Sequence, residues 1–249
     1  MSKEKFSVTF KMEAEALELA LYGPIGEDFF GAGITDTMVS QTLKSANPYA
    51  SITLRLNSPG GDLYQGVSIC NLLKAQDKPV NVIVDGLAAS AASIIAMAGD
   101  TVVMQPGSMM MIHEAQGVCM GYSADMTKMA DVLDSVTSSA ADVYVGKTKM
   151  SKRAVMGLMA NETWMEPKQA VELGFATEVG TGKQAKVSNS FDLRFFRNVP
   201  EELKEVAPVA ATLVVAPVAA EPEPEEFNDI DLRLKRVQLA KRRDECTGK

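Results

Sequence analysis

Along the chain, apolar residues collect into short runs, separated by stretches in which they recur every three or four positions. Two of the runs, Ile52-Thr53-Leu54-Arg55-Leu56 and Val80-Asn81-Val82-Ile83-Val84, are β-branched and of strand length. Between them Leu63, Val67, Cys70 and Leu73 (or Leu72) fall on one face of a helix. Strand, helix and strand in that order predict a βαβ unit with parallel strands and a right-handed crossover. The loops Asn57–Gly61 and Gly86–Ala91 then open on the same edge of the sheet, at the carboxyl ends of the strands, where ligands bind.

The flanking pattern adds further elements. Phe6–Phe10 reads as an edge strand in a weakly ordered start, Leu17–Tyr22 as a strand ended by Gly23-Pro24, and Thr35–Lys44 as a helix capped by Thr35 or Asp36. The Ala-rich run Leu87–Gly99 is too short to span a bilayer and reads as a buried helix. Thr101–Met104 and Met109–His113 are short strands around the turn Gln105–Ser108. Ser123–Lys147 is the longest helical pattern, apolar at Met126, Met129, Val132 or Leu133, Val136, Ala140 and Val143. Ser151–Met159 and Pro167–Leu173 are shorter helices, and Phe175–Val179 a closing strand.

After Gly180 the pattern dissolves. Residues 181–205 are polar and mixed, with a hinge expected near Asn198, and residues 206–226 are Ala, Val, Pro and Glu, a linker composition. Asp229–Arg243 has Ile230, Leu234 and Val237 on one side of a basic amphipathic helix. The expected organisation is an N-terminal segment (1–15), a main folded domain (16–180), a linker (181–226) and a basic tail helix (227–249).

Composition narrows the function classes. A chain of 249 residues with 23% charged residues can bury a full core, and its net charge of −7 argues against general nucleic-acid binding. Cys70, Cys119 and Cys246 are odd in number and lack metal-ligand spacing, which suits a reducing compartment. Met1–Lys11 is charged and carries no apolar stretch of the signal-peptide kind. The expected location is the cytoplasm, with no membrane partner.

His113 is the one histidine, and so the one candidate for a general base of the usual neutral-pH kind; otherwise a lone histidine after Met111-Ile112 is structural. Ser90 stands where a small-residue helix begins, the place for a nucleophile on a tight strand-to-helix turn, or for a plain helix cap. Ser93 is a second candidate. Gly60-Gly61 either frees backbone N–H groups for an oxyanion hole or makes an ordinary turn.

Taken together, Asn-Ser-Pro-Gly-Gly at 57–61, Gly-Leu-Ala-Ala-Ser at 86–90 and Met-Ile-His at 111–113 resemble the signatures of ClpP-type serine proteases. The separation of Gly61 from Ser90 (90 − 61 = 29) is similar to the family's as well. The resemblance covers about residues 16–180 and implies an α/β fold of the ClpP/crotonase kind: repeated ββα units, a parallel sheet and a long outer handle helix; the flexible C-terminal tail read from composition lies outside it. It implies Ser90 as nucleophile, His113 as base, and the N–H groups of Gly61 and Ala91 as the oxyanion hole. Segments beginning at Gly60 and at Gln116-Gly117-Val118 would bind substrate as added β-strands.

The third member departs from the family pattern. Where the family has Asp, before an aromatic-apolar pair and an Ala-Val-Glu-x-Gly helix, this chain has Glu162, in Asn161-Glu162-Thr163-Trp164-Met165. The extra methylene displaces the carboxylate by about 1.5 Å unless the backbone compensates. The expectation is that Glu162 completes a catalytic triad with Ser90 and His113; the alternatives are a Ser-His dyad, or Glu162 as an exposed, solvated residue.

Glu162-Thr163-Trp164 and Gly-Leu-Ala-Ala-Ser-Ala-Ala-Ser are most similar to ClpP-related proteases of tailed phages and prophages, which mature the head by cutting scaffold and capsid proteins. The expectation is a ring-forming serine endopeptidase acting on polypeptides, with no cofactor or metal. Alternatives are a general proteolytic subunit beside an ATP-driven unfoldase, a crotonase-like acyl-CoA enzyme, and an inactive ring-forming scaffold subunit.

Overall fold

The computed structural model describes residues 6–13, 15–27, 33–182 and 191–204. The expected tail helix and the linker beyond residue 204 lie outside the described residues. In chain order the elements are β1 (Ser7–Glu13), β2 (Ala16–Tyr22), α1 (Asp36–Ala46), β3 (Ser51–Ser58), α2 (Leu63–Lys74), β4 (Val80–Ala89), α3 (Ala91–Ala96), β5 (Thr101–Met104) and β6 (Met109–Ile112). There follow α4 (Ser123–Thr148), α5 (Lys152–Ala160), β7 (Thr163–Met165), α6 (Pro167–Glu172), β8 (Glu178–Val179) and α7 (Glu201–Lys204).

Strict alternation makes the sheet. Leu17, Leu19 and Leu21 of β2 point to the core, as do Ile52, Leu54 and Leu56 of β3 and Val80, Val82 and Val84 of β4. Each such burial contributes roughly 1.5–3 kcal/mol. Strand order is β1-β2-β3-β4-β5-β8, parallel from β2 onward, with β1 antiparallel at the edge. Val39 and Leu43 of α1 and Ile69, Cys70 and Leu73 of α2 belong to the same core. Thr35 caps α1 by accepting from Met38 N, and Asp62 caps α2 by accepting from Gln65 N.

The strand that matters most is β4, because it changes neighbours along its length. Asn81–Val84 pair with β5, whereas Leu87–Ala89 pair with β6, and β6 in turn pairs antiparallel with β7. Asp85 sits buried at the branch, held by Arg55 through two hydrogen bonds and by Tyr22 Oη at 2.7 Å. On the β3 side the register shifts between Leu56 and Ser58, and the Asn57 side chain fills the break by accepting Leu87 N at 3.0 Å.

Four expectations need correction. Leu87–Ala89 belong to β4 and not to a helix, because β6 and Ser58 offer ladder partners to their backbone; α3 is correspondingly only Ala91–Ala96. Of the predicted stripe of the long helix only Ala140 is buried, the buried face being Thr137, Ala140, Ala141 and Tyr144 in the second half; in the first half Met126 and Val132 are exposed. Phe175 and Ala176 do not extend β8: both N–H groups return to Ala170 O and close α6 around Gly174, whose φ is +83°. Asn198 is not a hinge: its backbone N–H donates to the Glu162 carboxylate, in a segment packed against the sheet. Among the described residues no helix is long and apolar enough to cross a membrane.

Candidate active site

Backbone geometry builds one side of the site. In the Asn57–Gly61 loop, Ser58 Oγ accepts Gly60 N at 3.1 Å, and both glycines adopt positive φ, +90° at Gly60 and +142° at Gly61. Gly60 lies against the turn at Ser90: a Cβ there would come within 2.5 Å of Ala89 O, 2.7 Å of Ser90 Cβ and 3.0 Å of Ala91 N. Ile25 N donates to Gly60 O and Ile25 O accepts from Asp62 N, a parallel bridge that turns the N–H of Gly61 away from Ile25. Ser90 stands between β4 and α3 at φ 54°, ψ −124°, a conformation an L residue adopts only under constraint. Its constraint is the bond from its N–H to Met111 O at 2.9 Å. Among the described residues, the N–H groups of Gly61 and Ala91 donate to no other group.

The other side is built from side chains. His113 lies one pleat past the end of β6 and turns its ring back, so that Nε2 is 2.7 Å from Ser90 Oγ. Nδ1 is 2.9 Å from Gln116 Nε2. The Gln116 amide decides the tautomer. With nitrogen facing the ring, Nδ1 accepts and Nε2–H donates to the serine; with the amide turned over, Nδ1–H donates to its oxygen and Nε2 can accept the serine proton. Only the second state is a general base. Burial holds the His113 pKa below the ordinary 6.5 against the opposing charge of Glu162, and the Arg197 charge adds to the lowering. The imidazole is therefore neutral at pH 7.

Glu162 is buried, so it is not the solvated residue that one reading of the sequence allowed. Nor does it bond to His113. At φ 46° it directs its carboxylate to the backbone N–H groups of Arg197 (2.8 Å) and Asn198 (2.6 Å) and to Trp164 Nε1 (3.2 Å). The structure thus brings together Gly60, Gly61, Ser90, Ala91 and His113, and gives Nδ1 to Gln116 in place of Glu162. Gly117 lies beside Met129 and Leu133 of α4, while Val118 is 96% exposed, and neither belongs to a strand. Ser93 is no second nucleophile: it is fully buried, with Oγ 2.6 Å from Ser90 O and 2.8 Å from Tyr144 Oη.

Sequence reasoning missed the residues that close this side. Phe196 meets His113 edge-on, with ring centroids 5.5 Å apart and an interplanar angle of 87°. Its neighbours Arg197 and Asn198 occupy Glu162. The one trace in the sequence was aromatic density, Phe191, Phe195 and Phe196 within an otherwise polar stretch.

A serine held in a strained turn, hydrogen-bonded to a neutral imidazole beside two open amides, can carry out acyl transfer. Fold and comparison agree on the class, a serine-type peptidase of the ClpP kind. Residues 4–183 match the family model described as Clp protease, well over half of the chain, and the chain belongs to that family. It is 28% identical over 150 residues to the ATP-dependent Clp protease proteolytic subunit of Deinococcus radiodurans, covering 59% of this chain and 74% of that protein. It is also 28% identical over 156 residues to the ATP-dependent Clp protease proteolytic subunit 1 of Chlamydia abortus, covering 59% and 81%. With the proteolytic subunit of Nephroselmis olivacea the identity is 26% over 159 residues, covering 61% and 76%.

Proposed function

We propose that this ClpP-like peptidase is an endopeptidase in which Ser90 is the nucleophile and His113 the general base. The observation that carries the reading is the 2.7 Å contact between His113 Nε2 and Ser90 Oγ. His113 takes the hydroxyl proton as Oγ attacks the peptide carbonyl, and the oxyanion is received by the N–H groups of Gly61 and Ala91. The imidazolium then protonates the departing amine, leaving an acyl-Ser90 ester. Water, deprotonated by His113, releases the acid and restores the serine. Gly60 on one side and Gln116, Gly117 and Val118 on the other pair with the substrate backbone, which recognises extended polypeptide with little regard to side chains.

The setting we favour is head maturation in a tailed phage or prophage, with scaffold and capsid proteins as substrates in the host cytoplasm. It is supported by Glu162-Thr163-Trp164 and the Gly86–Ser93 stretch, which resemble those proteases, and by a basic segment at Arg233–Arg243 suited to an acidic assembly partner. A homo-oligomeric ring is supported by the exposed apolar residues Val118, Met120, Tyr122, Met126 and Val132 around the free end of α4. A second reading, a general proteolytic subunit fed by an ATP-driven unfoldase, is favoured by the names of the relatives.

The test of the chemistry is labelling by a fluorophosphonate probe with peptide mapping. Label is expected on Ser90, lost in Ser90→Ala and nearly lost in His113→Ala; label retained in Ser90→Ala overturns the assignment. For the setting, cleavage of capsid precursor at discrete sites without ATP supports maturation. Degradation that requires an unfoldase and ATP supports the second reading.

A further inference from the structure

Residues 191–199 lie beyond the stretch matched by the family model, yet they form a wall of the site. Phe191, Leu193 and Phe196 pack on Leu87, Ala89 and Met111, together with Met109 and Trp164. Met109 and Met111 alternate along β6 on the face that His113 continues, so this strap covers the apolar surface leading to the base. Phe196 stands at its end, edge-on to His113 and to Trp164, with centroids 5.5 and 5.7 Å away. The next two backbone N–H groups end on Glu162.

We infer, on the reading of Ser90 and His113 given above, that Phe196 is a positioning residue for His113 and that Glu162 serves the reaction by docking the 191–199 strap, not by accepting the Nδ1 hydrogen bond. The hydrogen bonds carry the argument. Glu162 Oε2 holds Arg197 N, and Oε1 holds both Asn198 N and Trp164 Nε1. Bonds from amides to a carboxylate are charge-assisted, and turning the side chain toward His113 would strand part-buried N–H groups. What remains at Nδ1 is Gln116, an exposed side chain on a loop, too weak a hold to orient the ring alone. The Phe196 edge supplies the missing constraint and keeps water from one side of the imidazole. Two charged groups act on the ring, Glu162 from the turn before β7 and Arg197 from the strap.

The chain carries one tryptophan, Trp164, which lies against Phe196 and donates to Glu162, so its fluorescence reports docking of the strap. The experiment uses the full-length protein with Phe196→Ala, Phe196→Leu, Glu162→Ala and the double variant Glu162→Ala/Phe196→Ala. A peptide substrate is followed across pH, beside Trp164 emission and fluorophosphonate labelling. Phe196→Ala is expected to lower kcat about tenfold with little change in KM. It should also move the acid limb of the kcat/KM profile upward, toward 6.5, as water reaches the ring. Phe196→Leu, which keeps apolar volume, should fall between and stays informative if the alanine variant does not fold. Glu162→Ala should red-shift Trp164 as Phe196→Ala does, and the double variant should be no worse than the poorer single one.

The inference is overturned if Phe196→Ala and Phe196→Leu keep wild-type kcat and pH profile, or if either raises activity, which would make the strap a lid. Additive losses with unmoved Trp164 emission in Glu162→Ala would also overturn it, in favour of a direct bond to His113. Label retained in Ser90→Ala would instead sink the protease assignment beneath it.

Discussion

The two sides of the site are made by different means. The Ser90 side is almost all backbone: two glycines at positive φ, a strained serine and two open amides, held by β3, β4 and α3 between Ser51 and Ala96. The His113 side is almost all side chain: an imidazole past β6, an amide from the following loop, a carboxylate before β7, and a phenylalanine from beyond the family domain. Backbone geometry tolerates no substitution where a Cβ has nowhere to go. A wall of side chains can exchange one partner for another more readily; here Nδ1 of His113 faces the Gln116 amide and not the Glu162 carboxylate.

The backbone side should therefore be the more brittle. The largest effect is expected from Gly61→Ala, whose Cβ would lie 2.1 Å from Ile25 O at φ +142°. The loss should be on the order of 3–5 kcal/mol in a denaturant titration, with labelling of Ser90 lost as well. Asn57→Ala comes next. It strands the buried Leu87 N–H at the register break and should cost about 1–3 kcal/mol, with some loss of activity because the same stretch of β4 aims Ser90.

On the side-chain wall, Gln116→Ala should leave the unfolding midpoint unchanged and reduce kcat about tenfold, a barrier of roughly 1.4 kcal/mol. A larger loss there than at Gly61 would invert the comparison. The smallest effect on activity belongs to Ser93→Ala. It removes the partner of the buried Tyr144 hydroxyl and should cost about 1 kcal/mol of stability while Ser90 still labels fully.

The pH dependence sharpens the same contrast, because only the side-chain wall titrates near neutrality. Burial lowers the His113 pKa in the folded state, so the acid limb of kcat/KM should lie below 6.5. The unfolded chain, with its ordinary histidine, binds the proton more readily. The contribution of His113 to stability is therefore complete above 6.5 and is lost as pH falls from there through the lower folded value. A kcat/KM limb above 6.5 would mean that water reaches the ring with the strap in place.

Much of this protein was determined by the sequence alone, and for local reasons. Alternation in Ile52–Leu56 and Val80–Val84, with a helix-length segment between, suffices for β3, α2 and β4, because strand and helix periodicities are properties of neighbouring residues. Gly60, Gly61 and Ser90 could be singled out because positive φ and a strand-to-helix turn leave their mark on residue type. Tertiary structure decided what depends on partners far along the chain. Leu87–Ala89 became strand because β6 was there to receive them, though their composition reads as helix. Only the first half of α4 stayed exposed, because periodicity marks a face and says nothing of where the body ends. Besides the nearby Trp164, the partners of Glu162 lie 35 and 36 residues further on, and those two are backbone N–H groups, which every residue but proline carries. No pattern of side chains can announce such a bond; only the packing of Phe191, Leu193 and Phe196 brings those amides to the carboxylate.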